Sequence, residues 1–145
     1  MDQSQITYEF FSEGGDFDVK AWLGGVPIGY ARCVSDGESL LLADIRVEKE
    51  VARRWPILPN LLRLLIGERQ PWRLRGLGIG SRLLGRVLQE ADAAGFREIR
   101  GSVMAADIQA WPGLLNWYRR YGFGVTEPDE RCVPGAAKKI VRRKQ

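Results

Sequence analysis

Over its first third the chain places apolar and polar residues with the period of a half-buried strand. Residues 6–11 and 17–23 are aromatic-rich, β-prone segments, and Ser12-Glu13-Gly14-Gly15-Asp16 between them predicts a turn. Gly24-Gly25 predicts a hairpin into a third strand near residues 28–34, and Ser35-Asp36-Gly37-Glu38 turns the chain into a fourth at 40–47. Four strands joined this way predict an antiparallel meander. After residue 81 the period changes. Leu83, Leu84, Val87, Leu88 and Ala91 recur at helical spacing, and Gly95 stands where such a helix would be capped. Residues 96–103 then read as a strand. Pro112 fits the first turn of another helix, with Leu114, Leu115, Trp117, Tyr118 and Tyr121 on its apolar side and Gly122 at its end. Residues 123–126 and 139–143 read as two final strands.

Residues 48–72 break the pattern. They are charged at first and punctuated by Pro56 and Pro59; then Leu61, Leu62, Leu64, Leu65 and Ile66 form a short apolar helix candidate, which Gly67 and Pro71 close. The order β-β-β-β-(α)-α-β-α-β-β predicts one α/β (α+β) domain over residues 1–145. Its sheet is mixed and largely antiparallel, and helices pack on it.

Composition removes chemistry more than it adds it. The chain has 145 residues and no histidine, which excludes a Ser-His-Asp triad, a His-activated cysteine and most zinc sites. Cys33 and Cys132 have neither metal-ligand nor redox spacing, so no metal is expected and the thiols read as reduced, as in the cytoplasm. The polar opening Met1–Gln5 reads as neither a signal nor a transit peptide, and the apolar run 61–66 is too short and too broken for a membrane span.

Charge is unevenly placed. Residues 1–50 hold ten acids against four bases, whereas residues 51–100 hold ten bases against four acids. The final eight residues carry Lys138, Lys139, Arg142, Arg143 and Lys144 with no acid. The basic zone from Arg53 to Arg86 brackets a glycine loop, as a small polyanion would require. Within it, Arg73, Arg75, Arg82 and Arg86 are positioned to supply a steering field.

That loop, Arg75-Gly76-Leu77-Gly78-Ile79-Gly80-Ser81, joins strand-side sequence to a helix. Glycines let backbone approach a ligand closely and adopt positive φ. Successive N–H groups and the following helix N-terminus then attract phosphate. No Gly-Lys-Ser/Thr follows, so it is not a Walker loop, and the Gly76-x-Gly78-x-Gly80 spacing is not the dinucleotide fingerprint.

Arg75-x-x-Gly78-x-Gly80 at a strand-to-helix crossing resembles the coenzyme A loop of the GNAT superfamily of N-acetyltransferases. Two further segments are similar to that family: Leu115-Asn116-Trp117-Tyr118-Arg119-Arg120-Tyr121-Gly122-Phe123 to its late helix, and residues 20–30 with Ile28-Gly29 to its early hairpin. The resemblance implies that backbone amides of Leu77, Gly78, Ile79, Gly80 and Ser81 bind the pyrophosphate of acetyl-CoA, beside Arg75 and Gly76. It implies that main-chain groups of Ile45, Arg46 and Val47 hold the pantetheine arm and polarise the thioester. Tyr118 matches the tyrosine that protonates the leaving thiolate, against a packing role in its apolar stripe. The acceptor amine needs a base. Asp44 and Glu48 are the nearest acids in sequence, and Glu48 is chosen.

Three departures stand out. The family's usual helix pair between strands one and two is missing, residues 48–72 are an insertion after the fourth strand, and the asparagine expected after the fifth is absent, with Asp107 nearest. The inserted apolar helix either walls an acceptor pocket or covers sheet or a homodimer contact. The implied activity is acetyl transfer from acetyl-CoA to a primary amine by direct attack in a ternary complex. The alternatives are a non-catalytic coenzyme A-binding module and a nucleic-acid binder using the basic tail.

Overall fold

The computed structural model describes residues 5–48, 50–51, 72–73 and 77–144. The meander is present and longer than the alternation predicts: β1 (Ile6–Glu13), β2 (Asp16–Leu23), β3 (Val26–Ser35) and β4 (Ser39–Val47) pair in sequence, each antiparallel to the last. Only Gly14 and Gly15 separate β1 from β2, both at positive φ, so nothing helical intervenes there. Two short strands, β5 (Glu50–Val51) and β6 (Trp72–Arg73), pair antiparallel and join the ends of the inserted segment. The helix candidate at 61–66 lies outside the described residues.

Helix α1 (Ile79–Ala94) follows the glycine loop and returns the chain to β7 (Glu98–Met104), which lies parallel to β4. Next come two short helices, α2 (Ala105–Ala110) and α3 (Leu114–Arg120), and strands β8 (Gly124–Thr126) and β9 (Ala136–Arg143). The main sheet has seven strands in the order β1-β2-β3-β4-β7-β9-β8. Helix α2 was not expected from sequence. Its residues Ala-Ala-Asp-Ile-Gln-Ala bury nothing, so no apolar period marks it. Pro112 precedes α3 rather than entering it, and Gly113 occupies the N-cap.

One face of the meander is apolar because alternate residues point there: Phe17, Val19 and Ala21 of β2, Ala31 and Cys33 of β3, Leu40 and Leu42 of β4 are all buried. Against them α1 packs Ile79, Leu83, Leu84, Val87, Leu88 and Ala91. Side chains of this kind contribute about 1.5–3 kcal/mol each when fully buried. Gly95, in the left-handed region, ends α1. Its N–H reaches Asp92 O while that of Phe96 reaches Ala91 O, satisfying the last turn's carbonyls.

Gly29 brings β4 and α1 together. A Cβ there would lie 2.9 Å from the Arg46 carbonyl oxygen and 3.3 Å from Leu83 Cδ1, so no side chain fits. The opposite face of the meander is polar, with Asp18, Lys20, Tyr30 and Arg32.

Candidate active site

The site is built where β4 stops behaving as an ordinary strand. Arg32 pairs with Asp44 but Cys33 with Leu42, so Ala43 is an extra residue, a β-bulge. The bulge changes the phase of the alternation. Leu40 and Leu42 before it, and Ile45 and Val47 after it, all belong to the α1 side, whereas Asp44 turns away and accepts a hydrogen bond from Tyr30 Oη at 2.8 Å. Just there β4 and β7 part company. Their parallel ladder runs only from Ser39–Glu98 to Leu42–Gly101, although β4 continues to Val47 and β7 to Met104. An opening results, and the β7-side backbone edge of Ala43–Val47 has no strand partner among the described residues. The main-chain groups of Ile45, Arg46 and Val47, predicted to hold an extended amide-bearing ligand, lie on this stretch.

The N-terminus of α1 stands at the same end. Gly78 is the N-cap at φ 72°, a left-handed conformation that other residues resist. Among the described residues no side chain caps the helix, and its first turn holds no acid. Its first i→i−4 bond is donated by Arg82 to Gly78 O, so the N–H groups of Ile79, Gly80 and Ser81 precede the ladder. Gly80, unlike Gly78, has ordinary helical geometry. A Cβ there would meet Val47 Cγ2 and Trp117 Cζ2 at 3.8 Å each, so β4, α1 and α3 converge on it. Arg75 and Gly76 lie outside the described residues. Of the predicted steering arginines, Arg86 bonds Glu90 at 2.8 Å, and Arg82 lies near enough to Tyr8 to act on its phenol.

Helix α3 supplies the third wall. Trp117 donates from Nε1 to Ser81 Oγ at 2.9 Å, tying α3 to the first turn of α1. Trp117 also packs edge-on against Tyr118 and Tyr121, and Trp111 lies against it, half-exposed. Tyr118 is only 6% exposed and its ring contacts Phe123. Its hydroxyl makes no hydrogen bond among the described residues. Nor is that oxygen sealed in, since Trp22 Nε1 is the only fully occluded, unpartnered side-chain polar atom among them. Burial first, and then the carboxylates of Asp107 and Asp44, push the phenol up to about 12.

Of the two acids weighed as base, the structure therefore brings Asp44 to bear on Tyr118. Glu48 lies past the end of β4; its N–H donates to Ile28 O at 2.8 Å and its side chain is exposed. Sequence reading gave Trp117 a packing place only, and no periodicity reveals a tryptophan that also clamps a loop. Tyr30 was likewise missed: its link to Asp44 depends on the bulge. Among the described residues no group of three His, Cys, Asp or Glu side chains is placed to hold a metal, and none of the helices is long and apolar enough to cross a membrane.

No protein-family model matches the chain, and no curated protein matches it. Solved structures do. The PaiA N-acetyltransferase of Thermoplasma acidophilum, crystallised with coenzyme A, is similar at a TM-score of 0.58 and 15% identity, over 88% of this chain and 60% of that one. This chain thus spans less than two thirds of that enzyme. A GNAT family acetyltransferase from Elizabethkingia anophelis, with acetyl-CoA bound, gives 0.62 at 14% identity over 98% of this chain and 100% of its own. The IAA acetyltransferase of Bacillus cereus gives 0.58 at 14% over 96% and 99%. At such identities the likeness is one of architecture: this chain has the fold of the GNAT family acetyltransferases.

Proposed function

We propose that this protein is an acetyltransferase that binds acetyl-CoA across the β4–β7 opening and passes the acetyl group to a primary amine. The observation that carries this reading is the uncapped, acid-free N-terminus of α1 beside the unpartnered edge of β4. Three N–H groups and the positive end of a 16-residue helix suit a pyrophosphate. The edge amides and carbonyls of Ile45–Val47 suit the two amides of a pantetheine arm. Arg75 and Gly76, outside the described residues, match the family's loop pattern in sequence.

Direct attack needs the acceptor as a neutral amine, which then forms a bond to the thioester carbonyl carbon as the carbon–sulfur bond breaks. Tyr118 serves as the donor to the departing sulfur. Because its phenol sits so high, it stays protonated throughout the physiological range and acts as a hydrogen-bond donor whose proton follows the developing thiolate. Asp44, in preference to Glu48, is the carboxylate that receives the amine's proton, directly or through water. Neither cysteine competes as a covalent carrier: Cys33 is buried in the core with its thiol pushed up to about 12, and Cys132 lies in the loop before β9.

Calorimetric titration with acetyl-CoA, followed by thiol release over a panel of amines, tests this reading. Binding with amine-dependent thiol release is expected. Binding without turnover on any amine would leave a coenzyme A-binding module, and absence of binding would end the proposal.

A further inference from the structure

Among the described residues four large apolar side chains stand exposed. Phe11 and Val34 lie on the meander and Val133 in the loop before β9, while the fourth, Trp111, touches the site and is 45% exposed. The sequence Trp111-Pro112-Gly113 between α2 and α3 fixes this indole. A residue before proline is driven to extended backbone, and Trp111 has φ −140° and ψ 93°. Its N–H donates to Asp107 O at 3.0 Å, and its carbonyl accepts from Leu114 N at 3.0 Å. Gly113 has φ −83°, which any residue adopts, so the turn does not require a glycine. What requires it is space: a Cβ there would lie 3.1 Å from Trp111 Nε1.

The ring also leans on Trp117, with centroids 5.3 Å apart and planes at 49°. Trp117 is buried and donates to Ser81 Oγ in the first turn of α1. A continuous aromatic surface therefore leads from the start of α1 to an indole held in place and left half in water. Gly80 marks the centre of this arrangement, since a Cβ on it would stand 3.8 Å from Val47 of β4 and 3.8 Å from Trp117 of α3. The β4 wall and the α3 wall thus flank the start of α1.

We propose that Trp111 is the stacking platform for the adenine of acetyl-CoA. The inference rests on the acetyltransferase reading, and it goes beyond it in giving the adenosine end of the ligand a residue. With the pyrophosphate at the start of α1 and the pantetheine arm on the β4 edge, the nucleoside is left with the α3 side, where Trp111 stands. Adenine offers a flat π-face, which an indole binds by stacking. Because backbone bonds on both sides and Trp117 already hold Trp111, little freedom is lost when the base arrives.

The test titrates the parent protein and Trp111→Ala by calorimetry with coenzyme A and with pantetheine 4′-diphosphate, which keeps the arm and the pyrophosphate but lacks the adenosine. Trp111→Ala should weaken coenzyme A about 10-fold, within the range of one base–aromatic stack, and leave the truncated ligand unchanged. Trp111→Phe, which keeps a ring, should retain most of the affinity. Gly113→Ala, which crowds the indole, should weaken coenzyme A alone. Etheno-coenzyme A adds a spectroscopic readout: emission of its fluorescent base should be quenched on the parent protein and recover in Trp111→Leu. Trp111 is half-exposed, so the fold is expected to tolerate these changes, which a thermal melt checks. If Trp111→Ala does not fold, Trp111→Leu and Gly113→Ala carry the comparison.

Unchanged coenzyme A affinity in Trp111→Ala overturns the proposal while leaving the acetyltransferase reading intact. So does an equal loss for both ligands, which would make Trp111 a prop for Trp117 only. Failure of the parent protein to bind coenzyme A overturns both.

Discussion

Two parts of this molecule are rich in what an anion seeks, and the fold treats them in opposite ways. The C-terminal strand β9 carries Lys138, Lys139, Arg142, Arg143 and Lys144 on or just beyond it, the densest basic run in the sequence. Each of these charges has a partner. Lys138 bonds Glu127, Lys139 bonds Asp129, Arg142 reaches Asp92 of α1 at 3.2 Å, Arg143 lies 3.5 Å from Glu98, and Lys144 donates to the Asp92 carbonyl. The strand itself sits between β7 and β8. The N-terminus of α1 carries no formal charge in its first three residues, yet no side chain caps it among the described residues. Formal charge in a sequence shows where cations are; only the fold shows which donors are left over. The basic run is paired within the fold, whereas the helix end beside the strand opening is where the proposed function places its ligand.

This contrast breaks first at Ser81. Ser81→Asp keeps an acceptor for Trp117 Nε1 and adds an acid to the first turn of α1, which should leave stability unchanged or raise it by about 0.3–1 kcal/mol. The same charge should repel a pyrophosphate, and acetyl-CoA affinity is expected to fall on the order of 10²-fold by calorimetry. A variant that is stable and still binds tightly would show that the helix end is not the phosphate site. Gly78→Val complements it. A branched residue at φ 72° is strained, so both affinity and thermal stability should drop. At Gly80 the positive-φ rationale does not apply, and a substitution there tests only the space between Val47 and Trp117.

Tyr118→Phe separates chemistry from packing. The ring contacts with Trp117 and Phe123 survive, so acetyl-CoA affinity should hold while turnover falls roughly 10²-fold. Equal turnover would return Tyr118 to the core. Trp117→Phe should have a smaller effect, removing one hydrogen bond to Ser81 and weakening acetyl-CoA binding about 3–10-fold, in line with a net 0.5–1.5 kcal/mol.

At the basic strand the expected changes are in stability and not in binding. Arg142→Gln, cutting the Arg142–Asp92 pair, should lower stability by about 1 kcal/mol or less and leave acetyl-CoA binding untouched. Tight, salt-sensitive DNA or RNA binding lost on changing Arg142, Arg143 and Lys144 to glutamine would instead support the nucleic-acid alternative.

The smallest effect lies far from the site. Asp36 accepts hydrogen bonds from Ser39 N and Oγ and pairs with Arg100, which hold its carboxyl well below the usual carboxylate range. A depressed folded value stabilises the protein above the unfolded carboxylate value near pH 4 and loses that contribution as pH falls below it. The melting-temperature gap between parent and Asp36→Asn should therefore be widest at neutral pH and shrink toward pH 3.

Much of this was legible in the chain, and the rest was not for identifiable reasons. The four-strand meander and α1 could be read because Phe17, Val19 and Ala21, or Leu83, Val87 and Ala91, repeat with the period of a buried face. The glycine loop could be read because Gly78 sits where a strand-to-helix crossing needs positive φ. The bulge at Ala43 could not, since nothing in Leu-Leu-Ala-Asp-Ile distinguishes a strand that slips phase from one that does not. Its consequences, the exposure of Asp44 and the parting of β4 from β7, therefore emerge only in three dimensions, and with them the preference for Asp44 over Glu48. Helix α2 was hidden for want of any buried residue. Pairing of the basic tail with Asp92, Glu98, Glu127 and Asp129 joins residues up to 52 positions apart, which no local pattern reports.

The most direct test follows backbone amide resonances of the isotopically labelled protein through an acetyl-CoA titration. The account predicts that the largest shifts fall on Ile79, Gly80 and Ser81 at the start of α1, with a second group at Ile45–Val47 and little change along β9. Shifts concentrated on Lys138–Lys144, or none at the α1 N-terminus under saturating acetyl-CoA, would contradict it.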